Sequence, residues 1–250
     1  MVLRVRVQVC GLVAVERDGV RYEDQLPGRQ GRLLLVYLVT RRDRVCTRDE
    51  LAAAVWGDDP PAAWPGALSA LLSRLRRVLG EGTVSAGGDV RLVLPPEVWI
   101  DLEAAADAAH RAESAAATGE VGRAWGAAQT ALFATRRTVL PGEDHPWVHG
   151  VRRYADEIHV RALEAYAEAA LGLGGTELST AERAARELTG LAPYRESAVR
   201  MLMRAHAAQG NVAQALVAFE DLRGRLRDDL GTEPCAATRA LHTDLLRGAL

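Results

Sequence analysis

The residues whose type and spacing could do chemistry are three arginines in one helical pattern. Residues 67–80, ALSALLSRLRRVLG, contain Arg74, Arg76 and Arg77 and no acidic side chain. At about 100° per residue, Arg74 and Arg77 share one face with Ser73, Arg76 lies on the flank, and leucines line the opposite face. Guanidinium groups bind phosphate oxygens, so this segment is suited to lying against a nucleic-acid backbone.

The number of arginines is weak evidence for this chemistry. Lysine is absent, all 31 residues of the lysine-plus-arginine class are arginine, and the formal net charge is −2. A GC-rich genome produces such a composition without selection for binding, so only the placement of arginines counts. For any isolated charge pair the alternative is a solvated helix surface. A second cluster, Arg41, Arg42 and Arg44, lies between two helical patterns, where a solvated loop is favoured over phosphate contact.

The residues before the arginine helix predict short strands first and then two helices. The N-terminal stretch predicts three or four short antiparallel strands, with a hairpin signal at Asp18-Gly19. Residues 28–40 predict a buried helix. Thr47, with Glu50 three residues later, forms a capping box that opens a second helix.

A predicted hairpin follows the arginine helix. Residues 83–86 and 90–94 have the strand pattern and are joined by glycines. A small sheet, three helices and a terminal hairpin together predict an α+β winged helix-turn-helix over residues 1–96, with the arginine helix as its third helix.

After two prolines, the rest of the chain predicts helices only. The helical patterns run approximately over 101–118, 120–138, 147–172, 177–190, 195–209, 211–230 and 235–248. Gly174 and Gly210, at two of the joints, are 36 residues apart, close to the ~34-residue period of tetratricopeptide repeats. Residues 97–250 therefore predict an all-α, tetratricopeptide-like domain that presents a groove to a protein partner.

Catalytic and metal-binding chemistry has little support in the sequence. His145 and His149 have a spacing that could chelate a metal on a helix, but Pro146 interrupts it and no third ligand follows. Phosphate-loop and GxSxG motifs are absent, and the three cysteines form no CxxC. We therefore expect no enzymatic activity, no metal and no cofactor.

A cytoplasmic location away from the membrane is expected from the same sequence. No apolar run approaches the roughly 18 residues of a membrane span. The N-terminus has no basic-then-apolar signal pattern.

Three segments, in this order, resemble a known family. They are DELAAAVWGDDPP at 49–61, SRLRRVLG at 73–80 and AFEDLRGRLRDDLGTEPCAATRALH at 218–242. A fourth, 147–174, is similar to the family's long alanine- and leucine-rich helix. The chain thus resembles the Streptomyces antibiotic regulatory proteins with their bacterial transcriptional activator domain. The resemblance implies a sequence-specific transcriptional regulator, an activator of a specialised-metabolite biosynthetic cluster.

For DNA, the resemblance implies an OmpR-type winged helix that binds direct repeats in the major groove of double-stranded DNA. Protomers would lie side by side there, as a homodimer on DNA. The arginine helix becomes the recognition helix, and the terminal hairpin becomes the wing. The expected DNA-contacting residues are Ser73, Arg74, Arg76, Arg77, Arg91 and Arg48.

For transcription, the resemblance implies contact with RNA polymerase holoenzyme through the helical domain and through the 57–66 loop. Asp58, Asp59 and Trp64 are the candidate contacts in that loop. From the residues alone, the two aspartates are equally well explained as turn formers ahead of prolines, and Trp64 as a core anchor.

Two departures from the family pattern leave a second function open. The recognition helix begins with the apolar residues PGAL at 65–68, and GGDV at 87–90 replaces the usual Pro-Gly-Tyr before the last wing strand. Backbone contacts by the arginines survive these changes, but direct reading of bases is reduced. The alternative is a protein-interaction scaffold with a degenerate, weakly DNA-binding winged helix.

Overall fold

The computed structural model of the protein describes residues 5–22, 25–86 and 88–248. The chain divides into two compact units. The first unit comprises the residues up to 104 together with 134–156, and the second comprises 105–133 together with 157–250. The sequence predicts a boundary after residue 96, between the winged helix-turn-helix and the helical domain. The two compact units do not test this functional boundary, which stays a prediction.

The described residues of the first unit form six short strands. They are β1 (Val5–Gln8), β2 (Ala14–Arg17), β3 (Val20–Arg21), β4 (Val84–Ala86), β5 (Val90–Leu92) and β6 (Trp99–Ile100). One sheet has the order β3-β2-β1-β6, and β4 pairs with β5 in a separate hairpin.

The four-stranded sheet confirms the predicted antiparallel strands and adds one that the sequence did not predict. In β1, Val5 and Val7 are buried while Arg6 between them is exposed, so one face of the strand enters the core. β1 is antiparallel to β2, with Val7 opposite Val15. The unpredicted strand β6 pairs with β1 in parallel, with Val7 opposite Ile100.

Three helices complete the winged helix-turn-helix, α1 (Gly28–Val39), α2 (Arg48–Trp56) and α3 (Trp64–Leu79). The predicted cap of α2 is confirmed, because the side chain of Thr47 accepts a hydrogen bond from the backbone N–H of Glu50. Gly57 ends α2 with a φ of +75°, a conformation that suits glycine. The wing, defined as β4, β5 and the turn between them, confirms the predicted hairpin, with Val84 opposite Leu92. Gly87 in its turn lies outside the described residues.

A buried carboxylate fixes the place where the sheet passes into the next helix. Asp101 is only 3% exposed. Its Oδ1 accepts hydrogen bonds of 2.9 Å from the backbone N–H groups of Val9 and Leu102, and its Oδ2 accepts one of 2.9 Å from Cys10. One side chain therefore satisfies three backbone donors at the end of β1 and the start of α4. Burial raises the pKa of the Cys10 thiol, and the neighbouring Asp101 carboxylate adds to the rise.

The second half of the chain is helical, as predicted. The helices are α4 (Asp101–Ala117), α5 (Val121–Thr135), α6 (Pro146–Leu173), α7 (Leu178–Leu191), α8 (Glu196–Ala208), α9 (Val212–Leu230) and α10 (Ala236–Arg247). Gly119, Gly174 and Gly210 lie at helix joints with φ between +66° and +79°. Among the described residues, no helix has both the length and the apolar character needed to span a membrane.

Alanine dominates the helix contacts in part of the second unit. Ala112, Ala128 and Ala165, from α4, α5 and α6, form one buried cluster. Ala115, Ala124 and Ala169 form a second cluster, and Ala170, Ala181 and Ala205 form a third. Such small side chains allow helix axes to approach closely. Larger residues fill the core further along the chain, where Phe219 and Leu222 of α9 pack with Met203 of α8.

We predict that Asp101→Asn lowers the free energy of unfolding by about 2 kcal/mol. Asparagine keeps one acceptor oxygen but places an amide donor opposite one of the three buried N–H groups. Urea unfolding followed by circular dichroism measures the change. Asp107→Asn, on the exposed face of the same helix, is the matched control. Equal stability of the two variants would contradict the role assigned to Asp101.

Candidate nucleic-acid interface

α3 has the two faces that its sequence predicted. The leucine face is buried in the fold, and Leu68, Leu72 and Leu75 are at most 1% exposed. On the opposite face, Ser73 and Arg74 are exposed. Arg77, one turn after Arg74, is exposed as well. Burial of the leucines holds this polar face outward.

Three of the predicted contact residues carry guanidinium groups without partners. Within the described ranges, the side chains of Arg74, Arg77 and Arg91 make no hydrogen bond or ion pair. Arg91 is exposed in β5, where its cross-strand neighbour is Ser85. These groups are free to bind an anion.

The other two predicted arginines are engaged inside the fold. Nε of Arg76 donates a 2.9 Å hydrogen bond to the carbonyl oxygen of Val84, joining α3 to the wing. A terminal nitrogen of Arg48 donates to Oγ of Ser69 at 2.5 Å, joining the start of α2 to the first turns of α3. Arg76 is also half-buried. Their first role is to position α3, and only their remaining N–H groups are available to a phosphate.

A further arginine, which the sequence did not indicate, anchors the other end of α3. A terminal nitrogen of Arg17 in β2 donates to the carbonyl oxygens of Arg77 and Val78, at 3.2 and 3.4 Å. The guanidinium carbon of Arg17 lies 4.8 Å from the ring centroid of Tyr22. A cation near the last carbonyls of a helix also interacts favourably with the helix dipole. This contact spans 60 residues, so no local motif predicts it.

The structure shortens the loop that was expected over 57–66. Asp58 and Asp59 are exposed in it, but Trp64 is the first residue of α3 and is half-buried. Placing Trp64 in an exposed loop was therefore wrong. The physical reason is Pro65, since proline suits the first turn of a helix, where its missing N–H needs no partner.

Residues 134–156 belong to the first unit through long-range contacts. Arg29 of α1 makes a bidentate ion pair with Glu143, with N–O distances of 2.8 and 2.6 Å. Nε1 of Trp147 donates a 3.0 Å hydrogen bond to the carbonyl oxygen of Ala54 in α2. The ring of Trp147 also meets that of Tyr37 edge to face, with centroids 5.1 Å apart.

The histidine pair of this segment faces separate carboxylates. Nε2 of His149 is 2.7 Å from Oδ1 of Asp144, and Nε2 of His145 is 3.9 Å from Oε2 of Glu143. In the part of the chain that the structure describes, no group of three or more potential ligands could hold a metal ion.

A charged cluster supports the start of α2. Arg44 forms an ion pair with Glu50, and the hydroxyl of Tyr37 donates to the same carboxylate at 2.5 Å. The Arg44 guanidinium and the Tyr37 hydroxyl lower the pKa of Glu50 to about 2. Burial, with the hydrogen bond to Glu50, raises the pKa of Tyr37 to about 12. Arg44 is therefore engaged with Glu50 and is no free phosphate contact.

Two protein-family models match the chain. Residues 100–246 match the bacterial transcriptional activator domain, and residues 26–86 match the model described as transcriptional regulatory protein, C terminal. The second match includes all of α1, α2 and α3. The first includes every helix from α4 to α9 and nearly all of α10.

Curated proteins from actinobacteria are similar over most of the chain. Regulatory protein AfsR of Streptomyces coelicolor is 33% identical over 244 residues, which are 97% of this chain and 24% of that protein. Transcriptional regulatory protein EmbR of Mycobacterium tuberculosis is 31% identical over 227 residues, 86% of this chain and 57% of that protein. The chain therefore spans about a quarter of the first relative and little more than half of the second.

A solved structure has a similar fold. It is that of Mycobacterium tuberculosis EmbR in complex with a low affinity phosphopeptide. The TM-score is 0.81 at 28% sequence identity, and the match covers 98% of this chain and 65% of that one.

We predict that the stability contributed by Glu50 depends on pH. Its pKa in the folded protein lies below the ordinary value, so the ionised carboxylate stabilises the fold above about pH 4.5 and loses this effect as the pH falls towards 2. Glu50→Gln should cost on the order of 1 kcal/mol at neutral pH, because Arg44 is nearly half exposed and the pair is partly screened. The difference from the wild type should shrink between pH 6 and pH 3 in urea titrations.

The control for this prediction is Glu97→Gln, which removes an exposed carboxylate outside the helices. A Glu50→Gln deficit that is unchanged at pH 3 would contradict the prediction.

Proposed function

The chain belongs to the Streptomyces antibiotic regulatory protein family of transcriptional regulators, and from that premise we propose that it activates transcription from promoters whose direct repeats it binds through α3 and the wing. The resemblance stated from three sequence segments is thereby confirmed. The family consists of regulators and is not an enzyme family. Beyond membership of the family, we propose that the chain recognises promoters, activates their transcription and recruits RNA polymerase.

One observation carries this proposal: unpartnered arginines coincide with the exposed face of the third helix and with the wing. Arginines in many other places have carboxylate partners. These paired arginines include Arg29, Arg42, Arg44, Arg123, Arg161, Arg186, Arg195, Arg204, Arg223 and Arg227. Arg74, Arg77 and Arg91 have none within the described ranges. Free guanidinium groups on a recognition helix and its wing suit a polyanionic duplex.

Reading of the base sequence would depend on few side chains. The exposed residues of the first turns of α3 include Pro65, Gly66 and Ala70, which have no hydrogen-bonding side chain. The hydroxyl of Ser69 is occupied, since it accepts from Arg48 and donates to the carbonyl oxygen of Pro65. Ser73 and Arg77 are left for direct hydrogen bonds to bases, and DNA shape would supply further discrimination.

RNA polymerase holoenzyme is the proposed second partner. Asp58 and Asp59 are exposed in the loop that leads into α3, the proposed DNA-binding helix. In that position they would contact a polymerase subunit bound to adjacent DNA. Trp64 follows them at the start of α3 and is half-buried. The helical domain over 97–250 would hold neighbouring protomers side by side, as a homodimer on repeated sites. A cytoplasmic location and control of a specialised-metabolite cluster complete the proposal.

We predict that Arg74→Gln/Arg77→Gln weakens DNA binding and makes it less sensitive to salt. The test uses fluorescence anisotropy on a duplex selected in vitro from random DNA, titrated at several KCl concentrations. The lost phosphate contact of Arg74 should reduce the slope of log K against log salt by about 0.9, and the lost base contact of Arg77 should lower the affinity without adding to that change in slope. The affinity should fall about tenfold or more at moderate salt.

Arg153→Gln/Arg239→Gln is the control with the same charge change. Both of its arginines are exposed and lie outside α3 and the wing. Unchanged affinity and slope in the α3 variant would argue against this DNA interface. Weak binding by the wild type with no sequence preference would favour the alternative, a protein-interaction scaffold with a degenerate winged helix.

We predict that Asp58→Ala/Asp59→Ala lowers activated transcription and leaves DNA affinity unchanged. The exposed carboxylates would meet polymerase and not the duplex, so their loss should affect only recruitment. Run-off transcription with RNA polymerase holoenzyme on the selected site measures the first property, and anisotropy the second. Glu97→Ala/Asp156→Ala removes two exposed carboxylates elsewhere. Equal transcript yield from the two double variants would count against a polymerase contact by this loop.

A further inference from the structure

The first unit contains a cavity of about 860 Å³ that the proposed function does not use. Its walls come from the end of α1 and the loop after it, from the segments that Asp101 holds together, and from the first turns of α6. The volume lies in the range of small-molecule sites, about 300–1,000 Å³.

The walls of the cavity are mostly apolar and partly aromatic. Val9, Ile100 and Val151 line it and are buried in the fold. Trp147 and Tyr154 of α6 supply two aromatic side chains, and Tyr154 is 48% exposed. A flat hydrophobic molecule would gain by covering the accessible parts of Trp147 and Tyr154, since the buried aliphatic side chains have little accessible surface left.

One of the three arginines that line the cavity has no acidic partner. Arg42 is held by Glu103 through two hydrogen bonds of 2.7 Å, and Arg44 by its ion pair with Glu50. Within the described ranges, no carboxylate lies in ion-pairing distance of Arg41.

Arg41 is instead held in place by aromatic rings. Its guanidinium carbon is 4.0 Å from the ring centroid of Tyr37 and 6.0 Å from that of Trp147. One terminal nitrogen donates to Oγ1 of Thr40 at 3.2 Å. The remaining N–H groups of this preorganised fork are suited to an oxyanion.

We propose that the cavity binds a small aromatic monoanion, a planar ring system that carries one carboxylate, sulfonate or phenolate group. The oxyanion would pair with Arg41, and the rings would lie against Trp147 and Tyr154. A single negative charge is favoured because Arg42 and Arg44 are already neutralised, and because Asp43 at the same cavity would repel further negative charge.

Hydrogen bonds connect the cavity wall to the DNA-binding elements. The loop that carries Arg41 ends at Cys46, whose backbone N–H donates to Val90 O in the wing and whose carbonyl oxygen accepts from Val90 N–H, both at 2.8 Å. Nε1 of Trp147 donates a hydrogen bond to the carbonyl oxygen of Ala54 in α2. Occupancy of the cavity should therefore alter DNA affinity. This coupling rests on the proposed function, whereas binding of the anion does not.

The binding test uses the full chain and 8-anilino-1-naphthalenesulfonate, a fluorescent aromatic monoanion, with N-phenyl-1-naphthylamine as the uncharged probe. The anionic probe should bind at one site per chain, and Arg41→Gln should weaken its binding about tenfold while leaving the uncharged probe nearly unaffected. Tyr154→Ala should weaken both probes. Arg153→Gln, an exposed arginine on the same helix that does not line the cavity, is the matched control.

Circular dichroism and urea unfolding check that each variant is folded, since loosely packed chains also bind such dyes. Arg41→Lys is the second variant, which keeps the charge but loses the planar fork and should retain partial affinity. Equal affinity of wild type and folded Arg41→Gln for the anionic probe would overturn the proposal. So would many weak sites per chain.

The coupling test repeats the DNA anisotropy measurement with the anionic probe at saturation. A change of threefold or more in DNA affinity, absent in Arg41→Gln, would support coupling. Tight probe binding with unchanged DNA affinity would overturn the coupling and leave the anion site standing. Failure of the wild type to bind DNA would instead count against the proposed function, because the probe measurement does not require DNA.

Discussion

The junction between the sheet of the first unit and α4 depends on the buried carboxylate of Asp101. Asp101 satisfies three backbone N–H groups that would otherwise be buried without acceptors. These groups lie just after β1 and in the first turn of α4, so one side chain fixes the junction between that strand and that helix. β6 immediately precedes Asp101 and completes the sheet. Because Arg17 of the same sheet donates to the last carbonyl groups of α3, the position of that helix also depends on this sheet.

The arginines divide into those that hold the fold together and those left for a ligand. Arg17 and Arg48 donate to atoms at the two ends of α3, and Arg76 on its flank donates to the wing, so that together they keep the helix in place. Arg74 and Arg77 project from the helix thus fixed. The arginines that position α3 also add positive charge near its exposed face. This charge increases the attraction of a polyanion beyond that of the unpartnered side chains.

Local signals were sufficient for most elements and for the exposed face of α3. The leucine spacing of α3, the Thr47 cap and the glycine joints act within one or two helical turns, so one sequence contains them in full. The remaining features depend on tertiary contacts. The β1–β6 pairing, the Arg17 contact and the Arg29–Glu143 ion pair join residues that are distant in the chain. The acceptors of Arg48 and Arg76 lie outside their own helices, so the sequence does not show which atom each guanidinium meets.

The alanine clusters of the second unit have a consequence for how this protein can evolve. An alanine codon changes by one base to those for valine, threonine, aspartate, glutamate, proline, serine or glycine. All of these except serine and glycine add substantial bulk, charge or a helix-breaking ring, and a close helix contact has no room for them. Most amino-acid replacements reached in this way at Ala128, Ala169 or Ala205 should therefore destabilise the packing, whereas replacements on the charged helix surfaces should cost little. Close alanine packing thus restricts sequence change at the helix contacts more than on the exposed surfaces.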